Sequence, residues 1–322
     1  MKSATIHHLN SGLIIISCLV AFFVPFELFL FSYGVLGPLH YLTEIGWLHK
    51  KNYFTKGKYD FIFLGIACVI LVYYNFNPPK RGGDLITDII TFSLFASGVF
   101  VFIKDWLYRI ILLILALVSI GFINNIDNYF IWFGIFLPTI IHVFIFTWLF
   151  MLYGVLKERS WPGFISIVVL IICASTFFIF QPGNLNYVVS EYVQKSYNLF
   201  AELNFRLIEL FNIQPINDFK EIYTTNSGFV IMRFIAFAYT YHYLNWFSKT
   251  SVIKWHQVPK NVLIGTLVIW VISVALYAID YNKGLKVLFF LSFLHVFLEF
   301  PLNFVSITGI GKELFGLTKA KA

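Results

Sequence analysis

The feature that most constrains this chain is a succession of long apolar runs almost free of charge. Nine can be marked, roughly at 12–36, 60–77, 85–103, 106–123, 129–156, 162–181, 229–248, 262–280 and 285–309. Each is near the ~20 residues that an α-helix needs to cross a bilayer. Breakers separate them: Asn77-Pro78-Pro79, Gly82-Gly83, Asn124-Asn125, Trp161-Pro162 and Gln181-Pro182-Gly183. The expected fold is therefore all-α, a polytopic helical bundle of about nine transmembrane helices, with residues 1–322 forming a single transmembrane domain. No internal repeat or low-complexity tract interrupts the pattern.

Composition closes the other routes. The chain is 59% hydrophobic and 12% charged, with 39 Phe, against roughly 45–50% and 25% in soluble domains. A soluble monomer could not hide that much apolar surface, and disorder needs low hydrophobicity. The net charge of +7 follows from Lys and Arg gathered in alternate loops, so nucleic acid is not an expected partner. One set of loops holds Lys50, Lys51, Lys56, Lys58, Lys104, Arg109, Lys157, Arg159, Lys249, Lys254, Lys260, Lys312, Lys319 and Lys321. The positive-inside rule then puts the N-terminus outside and the C-terminus in the cytoplasm. Cys18, Cys68 and Cys173 each lie inside an apolar run, without metal-type spacing, and read as core cysteines. Ile15-Ile16-Ser17-Cys18 has the outline of a lipoprotein cleavage site. The apolar run continues well past it, so a retained first span is expected.

The one long connection, 183–228, is expected outside the cytoplasm. Val189, Val193, Tyr197, Phe200, Leu203, Leu207 and Leu210 recur at helical spacing, while Glu191, Lys195, Glu202 and Glu209 take other positions. This predicts an amphipathic helix ending near Pro215, lying in the interface or capping the bundle.

Inside a membrane an ionisable side chain is a functional candidate unless it is paired. Few lie well inside the spans here: Glu27, His142, His242, His295 and Glu299. His40 and Glu44 follow directly after Gly34 and Gly37-Pro38, where a kink is expected, with 38–48 continuing as a second helical piece. His40 and Glu44 are four residues apart, as are His295 and Glu299, so on a helix each imidazole shares a face with a carboxylate. The depths agree too. Counted to Lys50, Lys157, Lys249 and Lys312, the four histidines lie about 10–25 Å from the basic end of their helices.

Four imidazoles and two carboxylates at similar depth suit a metal: His40, Glu44, His142, His242, His295 and Glu299 are the candidate ligands. A nitrogen and oxygen set without thiolate points first to non-haem iron, then zinc. Haem could use two of the histidines but leaves the glutamates unexplained. Each residue also has a plainer reading, as a neutral side chain hydrogen-bonded within the bundle. Glu27 and Glu299 lie close to Pro25 and Pro301, where a carboxylate can satisfy donors at a kink. Tyr239, Tyr241, Asn245 and Asn303 could orient ligating imidazoles. Trp246 and Trp255, beside Lys249 and Lys254, read as an interfacial belt, and His7, His8, His49 and His256 as surface residues.

At these residues a family resemblance appears. Gly37-Pro38-Leu39-His40-Tyr41-Leu42-Thr43-Glu44 resembles the early Gly-x-x-His-Gly-x-x-Asp stretch of the bacterial Brp/Blh-type membrane carotene dioxygenases. Phe237-Ala238-Tyr239-Thr240-Tyr241-His242 is similar to their later Phe-Ala-x-Tyr stretch leading into histidine, and His295 fits a histidine near the final span. Tyr41 replaces the family's second Gly, Glu44 stands in place of its Asp, and position 246 is Trp where the family has a second histidine. The resemblance implies a multi-span protein of a bacterial inner membrane that holds iron through histidines and oxygenates an isoprenoid.

Three functions are therefore expected in order. The first is a membrane metalloenzyme with oxygenase, hydroxylase or desaturase-type chemistry on a lipid or isoprenoid, its partners being membrane lipids and an apolar small molecule. The second is a proton-coupled transporter or channel using the intramembrane Glu and His. The third is a lipid acyltransferase, suggested by Asn245-Trp246-Phe247-Ser248 and the separate His295.

Overall fold

A computed structural model describes residues 3–78, 84–183, 185, 187–249, 254 and 257–317. Among the sequence features above, Pro79, Gly82-Gly83, Trp255, His256, Lys319 and Lys321 lie outside the described residues. All the secondary structure of the described residues is helical, without a strand. Seven helical segments are long and apolar enough to cross a membrane: Ala4–Phe23, Leu85–Phe102, Trp106–Ile123, Phe130–Glu158, Trp161–Ile179, Lys260–Ile279 and Tyr281–Leu314. The other two expected spans are also helices but differ in kind. Asp60–Phe76 is 17 residues long. Asn226–Ser248 carries Arg233, His242 and Asn245 and is too polar to face lipid, yet every residue from Ser227 to Tyr243 is buried. It is an enclosed helix, surrounded by protein.

The chain forms two compact units. The first comprises Met1–His40 and Glu158–Lys286, the second Tyr41–Lys157 and Val287–Ala322.

In the first unit, α11 (Asn226–Ser248) is central. It packs against α1 (Ser3–Phe23), α2 (Pro25–Phe31), α8 (Trp161–Ile179) and α10 (Ala201–Leu210). Pro25 lacks an N–H and starts α2 after a break at Val24 (φ −134°). The break frees the Phe22 carbonyl, which accepts from Arg233 Nε at 3.1 Å. The expected kink before Gly37 is a π-helical turn, Ser32–Leu36, leading into α3 (Gly37–Lys50). Its loosened backbone is held from outside: Trp270 Nε1, on α12 (Lys260–Ile279), donates to the Val35 carbonyl at 2.8 Å and Tyr281 Oη to that of Leu30 at 3.1 Å. Phe29 sets its ring edge-on to Tyr197 and Tyr239, knitting α2 to α11 and to the connection above.

That connection differs from the single helix expected. It is α9 (Glu191–Tyr197), a 3₁₀ turn at Asn198–Phe200, then α10. The predicted apolar face is largely right: Val189, Val193, Tyr197, Leu203 and Leu207 are buried, Phe200 half-buried and Leu210 exposed. Pro215 does not stop the helix. Asn212 adopts φ +50°, and the N–H groups of Asn212 and Ile213 bond back to Glu209 and Ile208, closing α10 at Leu210. Tyr187, ahead of α9, donates its hydroxyl to Glu27. Burial and that carboxylate push the Tyr187 phenol well up, so it remains a donor. Cys18 donates weakly to the Cys173 carbonyl, and Cys173 is only half-buried, unlike Cys18 and Cys68.

In the second unit, α5 (Leu85–Phe102) packs between α4 (Asp60–Phe76), α6 (Trp106–Ile123) and a π-helix, Phe130–Phe146, that continues as α7 (Thr147–Glu158). Pro138 lies inside the π-helix. Its missing N–H and its clash with the preceding turn loosen the α-helical ladder there. Gly134 allows the π-helix to approach α5, because a Cβ at that position would overlap the Thr87 hydroxyl. The apolar core joins Leu64, Cys68 and Leu71 to Phe100, Leu137, Phe297 and Phe300, the last two on α13 (Tyr281–Leu314). At one end Arg109 grips Asp60 through two bonds, 2.8 and 3.1 Å, and donates Nε to the Ile103 carbonyl.

Candidate metal centre

All six candidate ligands are buried, none more than 6% exposed. A helix places each for a local reason. His40 and Glu44 stand one turn apart on α3, directly after the π turn. His142 lies within the π-helix, four residues after Pro138, and His242 lies on enclosed α11. His295 and Glu299 are one turn apart on α13.

In the first unit His40 and His242 meet. Their Nε2 atoms are 3.1 Å apart and the rings stand edge-to-face. Tyr243 and Trp246 close round the His40 imidazole at ring-centroid distances of 5.1 and 5.6 Å. Trp246 is thus half-buried against a histidine. It stands one helical turn beyond His242, so it shares that residue's face.

In the second unit His142 and His295 meet in the same way, with Nε2 atoms 3.2 Å apart. Glu299 approaches the other nitrogen of His142, Oε2 to Nδ1 at 3.3 Å. Glu44 offers a carboxylate oxygen within 4.8 Å of an imidazole nitrogen of His295. Tyr41 lies parallel to the His295 ring at 5.7 Å. Tyr41 is the residue that departs from the family-like motif, and nothing in its sequence position indicated that it would cover a histidine.

The paired nitrogens can do one of two things. Neutral imidazoles of opposite tautomer share one N–H···N hydrogen bond at this separation. Alternatively both lone pairs face one cation. With metal–nitrogen bonds of about 2.1 Å, a nitrogen separation of 3.1–3.2 Å subtends about 95–100° at the metal, close to octahedral and tetrahedral angles alike. The carboxylate on Nδ1 of His142 suits the second case, since ligating imidazoles commonly donate their other N–H to a carboxylate. An apolar cavity of about 490 Å³ between α4, α5 and α6 has none of the six residues in its lining and plays no part in this constellation.

No protein-family profile, curated protein or solved structure matches the chain.

Proposed function

We propose that the protein is an integral-membrane metalloenzyme of a bacterial inner membrane, holding non-haem iron and acting on a lipid or isoprenoid by oxygenase, hydroxylase or desaturase-type chemistry. The observation that carries this reading is the pairing of the four predicted imidazoles through Nε2, His40 with His242 and His142 with His295. A shared N–H···N bond would also pair the rings; what favours the metal is the carboxylate beside each of His142 and His295, Glu299 and Glu44. The resemblance to the Brp/Blh-type dioxygenases supports the same chemistry, and zinc is the second candidate metal. Nine spans are proposed, with enclosed α11 and the shorter α4 added to the seven apolar segments, the N-terminus outside and the C-terminus in the cytoplasm.

Bound iron would supply oxygen activation. The chain's own part is to hold and exclude. The four imidazoles present lone pairs at Nε2. Glu299 stands 3.3 Å from Nδ1 of His142, a contact that would favour the Nδ1–H tautomer and leave Nε2 to ligate. Glu44 offers a carboxyl oxygen within 4.8 Å of an imidazole nitrogen of His295. Tyr243 and Trp246 pack against the His40 ring and Tyr41 against that of His295. An apolar substrate would arrive from the bilayer.

The test is metal content by mass spectrometry on detergent-purified protein, with His40→Ala, His242→Ala, His142→Ala and His295→Ala beside the wild type. Iron near stoichiometry, lost on replacing either member of a pair, is expected. Oxygen consumption with C20–C40 isoprenoids follows. No metal after expression in iron- and zinc-supplemented medium, or metal unchanged in all four variants, overturns the reading and moves liposome proton flux to the front.

A further inference from the structure

Helix α13 carries more polarity than the proposed centre uses. His295, Glu299 and Asn303 follow one another at four-residue spacing and Ser306 comes three later, so all four share one face. His295 and Glu299 engage His142. Asn303 and Ser306, 2% and 1% exposed, have no such role: neither Nδ2 nor Oδ1 of Asn303, nor Oγ of Ser306, has a hydrogen-bond partner. Buried side-chain amides and hydroxyls are nearly always paired. Ser306 also departs from its neighbours. Thr91, Ser93, Ser97 and Thr308 each return the hydroxyl to the carbonyl one turn back in their own helix, and Ser306 does not.

An amide open at both ends offers one acceptor and a pair of donors side by side. An anion would meet the carbonyl oxygen, and a cation the N–H groups. The complementary group is a hydroxyl, which gives its proton to Oδ1 and accepts from Nδ2, with the Ser306 hydroxyl as a further partner. We propose that Asn303 and Ser306 form a hydroxyl-binding subsite. Its occupant is a water or the alcohol end of a long-chain or isoprenoid alcohol. Its relevance to catalysis, one turn beyond Glu299, rests on the metal-centre reading. Binding itself does not.

The test uses purified full-length protein in detergent, both iron-loaded and metal-depleted, with Asn303→Leu, Asn303→Ala and Ser306→Ala. Melting temperature is measured with geranylgeraniol and with the saturated C20 hydrocarbon phytane. Radiolytic hydroxyl labelling of Leu302 and Phe304 reports bound water. If the occupant is an alcohol, geranylgeraniol raises the wild-type melting temperature by about 2 °C or more. Phytane does not, and either Asn303 variant abolishes the rise. If it is water, neither additive acts, and labelling of Leu302 and Phe304 falls to background in the Asn303 variants. Neither an alcohol-specific shift nor a labelling loss, in variants that fold and melt cooperatively, overturns the proposal. Because the Asn303 variants leave every proposed ligand in place, their iron content separates this failure from failure of the metal reading.

Discussion

Glu299→Gln keeps the side chain's volume and removes its charge. The carboxylate oxygen stands 3.3 Å from Nδ1 of His142, and the two side chains are 1% and 2% exposed, so bulk water cannot take its place. In the proposed centre a carboxylate at that distance would favour the Nδ1–H tautomer of His142 and raise the basicity of Nε2. An amide at the same position does neither reliably. Removal of such an outer carboxylate typically costs 10–100-fold in metal affinity, which is about 1.4–2.7 kcal/mol. The assay is anaerobic titration with Fe(II) against a competing chelator, with wild type, Glu299→Gln and His142→Ala measured side by side. Glu299→Gln is expected to fall between the other two, with the melting temperature of the metal-free protein little changed. Binding equal to wild type would refute the argument from the Nδ1 contact. Binding as poor as His142→Ala would make Glu299 a ligand in its own right.

Other outcomes follow from the packing. Arg109→Met should destabilise the protein by about 3–5 kcal/mol, because it strands a buried carboxylate; the double variant Asp60→Leu/Arg109→Met should recover much of that loss in thermal melts, and a harmless Arg109→Met would contradict the clasp. Gly134→Ala should cost about 1–3 kcal/mol through overlap with the Thr87 hydroxyl. Adding Thr87→Ala should restore part of that loss, and additive melting shifts would show that the two positions are not in contact. Asp280 accepts from the Lys283 backbone N–H at the start of α13, which holds its carboxyl below the ordinary 3.8. A depressed folded pKa stabilises above the unfolded value and is lost as pH falls through the folded one. Asp280→Asn should therefore lower the melting temperature at pH 6–7, and the difference should close below about pH 3.8. A gap that persists in acid would assign the effect to something other than charge.

The helices were legible because span length and apolarity are local properties: each segment exists wherever a stretch of residues cannot remain in water. The departures came where neighbours decided. α11 reads from its sequence as one more apolar span, but it is wrapped by α1, α2, α8 and α10, which is how it can carry Arg233 and His242. The connection at 183–228 announced its apolar face, yet its helix ends at the left-handed Asn212, a backbone choice that no hydrophobic period encodes. Pro138 and the Gly34 to Pro38 stretch marked irregular places without saying that the result would be π-helical turns.

The candidate site divides along the same line. One chain of residues was enough to put His40 with Glu44, and His295 with Glu299, on common helix faces, because a four-residue spacing on a helix leaves no freedom. It was also enough to mark all four imidazoles as costly, since burying a polar ring is penalised wherever the helix goes. Which ring meets which depends on how separate helices pack. Only the tertiary structure set His40 against His242 and His142 against His295, 202 and 153 residues apart, turned Glu299 to the Nδ1 side of His142, and left the side-chain hydrogen bonds of Asn303 and Ser306 unmade.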